Sequence, residues 1–261
     1  MIIEHIPAII LAGGRGTRIS EYSDSIPKPL VPIGGRPILA HIINIYAAQG
    51  VNKFFIAGGY KIDELKRYFA HYHLFNSDFC LETKNNTLTI LSKNSIDVSI
   101  NVLDTGLDTQ TGGRLKRLEN FLQSSRFFLT YGDGVCNVNL QKLVSQHEKL
   151  GALATVTAVH PTSRYGKISI ENDDMVTAFS EKPEFGEDWI NGGFMVMESG
   201  VFKYLHEDTN VLETALLQKL SEEGKLAAHK HKGFWKSMDT LRDKRELDII
   251  AEKNSLPWME I

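Results

Sequence analysis

The chain of 261 residues is 42% hydrophobic and 23% charged, with 29 Lys+Arg against 32 Asp+Glu and a formal net charge of -3. That balance excludes a bulk-basic nucleic-acid binder and a like-charge tail, and a chain of this length buries roughly three-quarters of its unfolded surface without needing staples. Its two cysteines, Cys80 and Cys136, lack zinc or redox spacing and predict a reducing, cytoplasmic setting with both thiols as buried filler.

The opening run IPAIILA is too short for a membrane helix, has no basic leader before it and runs into glycines, so it predicts a first buried strand over Ile6–Ala12. No later stretch approaches membrane length. A helix from about Pro37 to Gln49, a strand Lys53–Ala57 and a helix from about Ile62 to His71 follow, the rhythm of a parallel sheet with crossover helices. Between Asp78 and Asp104 the runs CLETK, TLTILS and VSINVLD predict a β-hairpin excursion before the main sheet resumes. Short exposed strands there would either pair with another chain or pack on their own domain. Helix Gly113–Leu122 leads to strand Phe127–Tyr131, and a helix near Leu140–Leu150 leads to strand Ala152–Val159. The runs KISI, MVTAFSE and INGGFMVM then predict antiparallel additions or a small second lobe, before helices around Val211–Glu223 and Leu241–Lys253. The pattern is that of one α/β domain with a mixed sheet and its ligand crevice at the carboxyl ends of the parallel strands.

LAGGRGTR, Leu11, Ala12, Gly13, Gly14, Arg15, Gly16, Thr17 and Arg18, sits where the first strand ends. Glycines there let the backbone approach a phosphate, and successive N–H groups form an anion nest. Ile19 stands where a dinucleotide fingerprint needs glycine, and there is no P-loop. Pro27 and Pro29 hold Lys28 in a rigid extended segment, which suits aiming its ammonium at phosphate as well as it suits a solvated loop lysine. Asp133, between Gly132 and Gly134, ends a strand at the same edge as the glycine turn. Asp239 precedes the last helix and reads equally as an N-cap. Gly59, Tyr60 and Lys61 form either a plain turn or a border for a base. None of the nine histidines has metal spacing.

LAGGRGTR followed by PKPL resembles the signature of the sugar-nucleotide pyrophosphorylases, nucleotidyltransferases that join a nucleoside triphosphate to a sugar 1-phosphate. TGGRLKR, TYGDGV, FSEKP, NGGFMV and GFW with MDTLRDK extend the resemblance over essentially the whole chain, toward the branch that uses CTP and glucose 1-phosphate. It implies a Rossmann-like three-layer α/β fold as one domain over 1–261, with a mostly parallel central sheet and a β-rich accessory region. Within it fall the hairpin at about 78–104, a sugar-binding part at about 160–240 and a C-terminal helix at about 241–253.

The resemblance also implies roles: Asp133 and Asp239 on one Mg2+, Arg18 and Lys28 on the departing pyrophosphate, and Thr111 and Arg114 facing the nucleotide with the glycine turn and Gly132. Lys182 would hold the sugar phosphate, Glu181 and Asn191 the sugar hydroxyls, with Gly192 leaving room for the ring and Gly166 beside it. The product would be CDP-glucose, feeding deoxysugars of bacterial surface polysaccharide such as O-antigen, and a homo-oligomer is expected. The alternatives are the same chemistry with another sugar phosphate or with UTP or dTTP, or a non-catalytic sugar-nucleotide sensor. Intact Arg18, Lys28, Asp133, Lys182 and Asp239 argue against the sensor. Two positions depart from the family pattern: Ser237 stands where proline is usual before MDT, which is expected to loosen the approach to Asp239, and RYGKISI replaces an RFG followed by a small residue.

Overall fold

Ala8–Ala12 is an apolar strand, AIILA, with every side chain buried. Alternation sends Ala8, Ile10 and Ala12 into one core and Ile9 and Leu11 into another, so the strand lies between two apolar layers. It pairs in parallel with Lys53–Gly58 on one side and Arg126–Tyr131 on the other, and Ser99–Asp104 adds in parallel beyond Lys53–Gly58. The computed structural model describes residues 3–93, 96–122, 126–161, 167–170, 175–180, 188–253 and 256–261.

Past Arg126–Tyr131 the sheet becomes mixed. Met195–Glu198 runs antiparallel to that strand, Ala154–Val159 antiparallel to Met195–Glu198, and Leu226–Lys230 parallel to Ala154–Val159. Helices Ile38–Ala47, Ile62–Ala70, Leu140–Leu150 and Leu241–Glu252 feed one core; Thr111–Arg117 and the helical segment 212–222 feed the other. The result is a mixed sheet between two helical layers, the α/β domain that the alternating pattern predicts and the three-layer form that the resemblance implies. Local chemistry sets the helix ends. Asn139 accepts the Lys142 N–H at the start of Leu140–Leu150, and Gly151, at φ 59, ends it in the left-handed region. Among the described residues no helix is long and apolar enough to cross a membrane.

Several expectations are corrected. The hairpin is Ser77–Glu82 with Thr87–Lys93, whereas the third run of the predicted excursion, VSINVLD, supplies Ser99–Asp104 as an edge strand of the central sheet. Its side chains are only half-buried, as befits a strand at the edge of the sheet, paired with Lys53–Gly58. Cys136 is buried as expected, but Cys80 is exposed on the hairpin. INGGFMVM breaks into Ile190–Asn191 and Met195–Glu198. Both pair with Ala154–Val159, and the two-residue shift in register between them is a bulge at Gly192–Phe194. Among the described residues, Lys167–Ile170 pairs antiparallel with Val176–Ser180 as a two-stranded ribbon.

Four histidines, His41, His147, His229 and His231, are held below the ordinary imidazole value by burial. His147 lies between Thr155 Oγ1, 2.8 Å from its Nδ1, and Glu198 Oε1, 3.1 Å from its Nε2. The unfolded chain takes up protons at about pH 6.5, where the folded chain does not, so these groups favour folding above that value and stop doing so as pH falls through the lower folded values. The urea midpoint is therefore expected to fall between about pH 7.5 and about pH 5.5; equal midpoints would exclude the linkage.

Candidate active site

The site is assembled by a short ribbon. Beyond Tyr131, the end of a parallel strand, the chain passes Gly132 and Asp133 into Gly134–Cys136, which pairs antiparallel with Trp235–Ser237. Ser237 lies opposite Gly134, and the Met238 N–H donates to the Asp133 carbonyl at 2.8 Å, so two aspartates remote in sequence become neighbours. Asp239 is not the helix cap. Thr240 is, in a reciprocal capping box with Asp243, which leaves the Asp239 carboxylate for another partner.

Both carboxylates have the same partner. Lys28 Nζ donates to Asp133 Oδ2 at 2.7 Å and to Asp239 Oδ1 at 3.1 Å. Burial opposes the ammonium, but Asp133 and then Asp239 outweigh it and hold the Lys28 amine above its ordinary value. Burial likewise pushes the Asp239 carboxyl up, and Lys28, the Ser237 hydroxyl and Arg18 reverse this, leaving it below the usual carboxylate range. Ser237 Oγ donates to Asp239 Oδ2 at 2.9 Å, so the residue that replaces the expected proline braces the acid instead of loosening its approach.

The glycine turn rests on Arg114. This arginine, 4% exposed, donates through Nη1 to the Gly58 carbonyl, Thr105 Oγ1 and the Gly106 carbonyl, and through Nη2 to the carbonyls of Gly13 and Leu107. Its guanidinium thus ties together the carboxyl ends of three parallel strands. A Cβ at Gly13 would lie 2.2 Å from the Arg114 Cζ, so that glycine is required by the clamp. Gly16 is required for another reason, a φ of +64. Gly14 alone of the three faces open space.

The structure brings most of the predicted site residues together. A cleft of about 350 Å³ is lined by Leu11, Ala12, Gly13, Gly14, Gly16, Thr17 and Arg18, and by Lys28, Thr111, Arg114, Gly132, Asp133 and Asp239. A neighbouring cavity of about 290 Å³ is lined by Asn191, Gly192 and Trp235 and shares Tyr131, Asp133 and Asp239 with the first. Some expectations change in detail. Arg15 points away and pairs with Asp108 at 2.7 Å. Thr111 and Arg114 line the cleft, but their polar atoms serve the protein: Thr111 Oγ1 donates to Glu213 and accepts the Leu212 N–H. A Cβ at Gly192 would lie 2.8 Å from Val159 Cγ1, so close packing on that valine requires this glycine, which also lines the second cavity. Tyr60 and Lys61 donate to the carbonyls of Ser23 and Asp24 and brace that loop. Gly166, Glu181 and Lys182 lie outside the described residues.

Sequence reasoning missed Tyr131, Trp235 and Glu213. Tyr131 donates to Glu213 Oε1 at 2.5 Å and accepts from Asn191 Nδ2 at 3.3 Å; burial and then the Glu213 carboxylate push its phenol far above the ordinary value. Trp235 Nε1 donates to the Gly192 carbonyl at 2.8 Å and holds the bulge against the ribbon. Both aromatics sit inside motifs quoted for other residues, TYGDGV and GFW, and that adjacency was the available signal. Among the described residues no group of three or more His, Cys, Asp or Glu side chains gathers as a metal-ligand set. A cation at the carboxylate pair would have two protein ligands and open cavity around them.

A family model for nucleotidyl transferases matches residues 7–246. The chain belongs to the nucleotidyl transferase family. It is 41% identical over 252 residues to the glucose-1-phosphate cytidylyltransferase of Salmonella typhi, covering 96% of this chain and 98% of that one. The glucose-1-phosphate cytidylyltransferase of Salmonella typhimurium matches to the same extent, 41% over 252 residues with 96% and 98% covered. A crystal structure of HddC from Yersinia pseudotuberculosis complexed with GMP-PN shares the fold, with a TM-score of 0.68 at 23% identity, covering 96% of this chain and all (100%) of that one.

In this nucleotidyl transferase the phosphate-turn glycines and the buried arginine form one unit. Arg114→Met would strand several buried acceptors, each worth about 1–3 kcal/mol when left without a donor. The unfolding free energy is expected to fall by roughly 3 kcal/mol or more, read by chemical denaturation. Arg114→Lys should recover little of it, since a point charge cannot reach acceptors spread over three loops. A loss below about 1 kcal/mol for Arg114→Met would show that the loops hold themselves.

Proposed function

We propose that the protein transfers CMP from CTP to α-D-glucose 1-phosphate, giving CDP-glucose and pyrophosphate. The observation that carries this reading is the wall shared by the two cavities. Asp133 and Asp239 border both the glycine-lined cleft and the cavity at Asn191, Gly192 and Trp235. A nucleotide in the first and a sugar phosphate in the second would meet at these carboxylates. The near full-length identity to two glucose-1-phosphate cytidylyltransferases supports the same substrates for this chain.

The chemistry needs little from the protein beyond placement and charge. A sugar phosphate oxygen is already an anion at neutral pH, so it attacks the α-phosphate in line with departing pyrophosphate without a general base. Arg18, exposed at the mouth of the cleft, and Lys28, fixed behind it, serve the leaving pyrophosphate in this reading. Asn191 serves the sugar, and the family resemblance gives Lys182 the sugar phosphate and Glu181 a sugar hydroxyl. Mg2+ fits the carboxylate pair, because it takes one or two carboxylates and completes its shell with water and substrate phosphate, and it would neutralise charge on the transferring phosphoryl group. A cytoplasmic setting accords with two free cysteines, one of them exposed.

Pyrophosphate release, measured with CTP, UTP, dTTP, ATP and GTP against a panel of sugar 1-phosphates with and without Mg2+, tests the assignment. CTP with glucose 1-phosphate is expected to give the highest kcat/KM. Preference for another nucleotide would sink the cytidylyl assignment, and no release with any pair would sink the enzyme. Asp133→Asn should retain the fold by circular dichroism and lose at least about a hundredfold in kcat, the scale of one lost electrostatic contact in a transition state; near-normal turnover would remove Asp133 from the essential set.

The homo-oligomer belongs to the same reading. On the hairpin, Phe79 pairs with Ile90 and Leu81 with Leu88, so one face of the ribbon carries four apolar side chains, each between 39% and 47% exposed. A bare two-stranded ribbon is marginal in water, and such a face calls for a second copy of the chain. Leu81→Lys with Leu88→Glu is expected to shift the sedimentation coefficient to that of a smaller species. An unchanged assembly, or a wild-type monomer, would overturn this contact.

A further inference from the structure

Lys28 occupies the position that a cation between Asp133 and Asp239 would need. Its ammonium lies 2.7 Å from one carboxylate and 3.1 Å from the other, and both aspartates line both cavities. The side chain is 13% exposed. Lys28, between Pro27 and Pro29, opens a short 3-10 turn, Lys28–Leu30, in place of the expected extended segment, and its Cβ is one of the atoms that crowd Gly16 at the phosphate turn. The ammonium therefore has two anionic destinations within reach of one short stem: the carboxylate pair, or a polyphosphate lying in the cleft against Gly16 and Thr17.

An ammonium within hydrogen-bond distance of both carboxylates stands where a dication bridging them would bind, and the two charges repel one another at that distance. We propose that Lys28 is an internal counter-ion: it holds the carboxylate pair while the cleft is empty and releases it to a divalent cation only when a nucleoside triphosphate draws the ammonium onto phosphate. The inference rests on reading Asp133 and Asp239 as ligands of a divalent cation. Its consequence is coupled loading. The nucleotide-free protein resists metal, and nucleotide and metal each raise the affinity of the other by the same factor, as linkage requires. It also keeps two adjacent carboxylates from facing each other uncompensated between turnovers, which would cost stability.

The probe is Mn2+, titrated into nucleotide-free protein and followed by electron paramagnetic resonance. Wild type is expected to bind weakly, and Lys28→Met, which keeps the stem, to bind about ten- to a hundredfold more tightly, the worth of one charge-assisted hydrogen bond. Lys28→Gln should behave alike, and thermal melts in chelator report whether each variant is folded. Adding Asp133→Asn or Asp239→Asn to Lys28→Met should abolish the gain. A lysine with a merely structural role would not tighten metal binding when removed. Equal or weaker Mn2+ binding in both folded Lys28 variants overturns the proposal. If, in that case, wild type saturated with CTP still shows enzyme-bound Mn2+ that Asp133→Asn loses, the carboxylates remain the metal ligands and only the counter-ion role falls. If bound Mn2+ in that complex is indifferent to both aspartates, the metal reading fails and the counter-ion role falls with it.

Discussion

The guanidinium of Arg114 is the interaction on which the site depends. Parallel strands end with carbonyls pointing the same way, and where three strands stop together these groups crowd one edge with no strand left to pair with. A buried carbonyl without a donor costs as much as a lost hydrogen bond. Arg114 meets several of them at once, from Gly13, Gly58, Gly106 and Leu107, and adds the hydroxyl of Thr105. Only a planar cation with donors on more than one edge can do this, and doing so sets the spacing of the loops after Ala12, Gly58 and Asp104. The phosphate turn is therefore shaped from beneath by an arginine that comes from a helix.

That arrangement separates features that look alike in a motif. In LAGGRGTR the three glycines answer different constraints, the clamp at Gly13, open space at Gly14 and backbone hand at Gly16, and the two arginines diverge as well. Arg15 lies outward with Asp108, whereas Arg18 reaches to within 3.9 Å of Asp239. The same separation occurs at MDT. One of two adjacent residues able to cap a helix does so, and because it is Thr240 the aspartate beside it is left for the shared wall.

The buried layers were legible because periodicity reports burial. AIILA, KFFIAG and RFFLTY are apolar on both faces, as a strand between two helical layers must be, and the helix ILAHIINIYA is apolar nearly all round because it lies under both sheet and C-terminal segment. VSINVLD read as part of the excursion because an edge strand half in water has no such signature. Gly134–Cys136 and Trp235–Ser237 are too short for any period to appear, yet their pairing unites the two aspartates. Leu226–Lys230, LAAHK, carries no strand composition and is recruited by the free edge of Ala154–Val159. At the site, residue types that bind phosphate were visible in the motifs. What could not be seen was direction: a TGGR arginine reads as facing a ligand until the fold shows its donors spent on backbone.

The proton inventory of the site follows from the same packing. Against the pull of burial, Lys28 is held above its ordinary value by Asp133 and then Asp239, and Asp239 is held below its own by Lys28, while Tyr131 is pushed up by burial and by Glu213. All three shifts move titration away from neutral pH, and the histidines with lowered values have hydrogen-bond partners elsewhere in the fold. A site meant to donate or accept a proton is arranged the opposite way, with a group brought toward the working pH. These shifts suit a reaction in which charge is neutralised and no proton is moved by the protein. In the proposed reaction the attacking group is a phosphate monoester, whose second ionisation lies near pH 6. The ionisation that such chemistry requires is then carried into the site by the sugar phosphate, and the protein's task is to meet it with fixed positive charge.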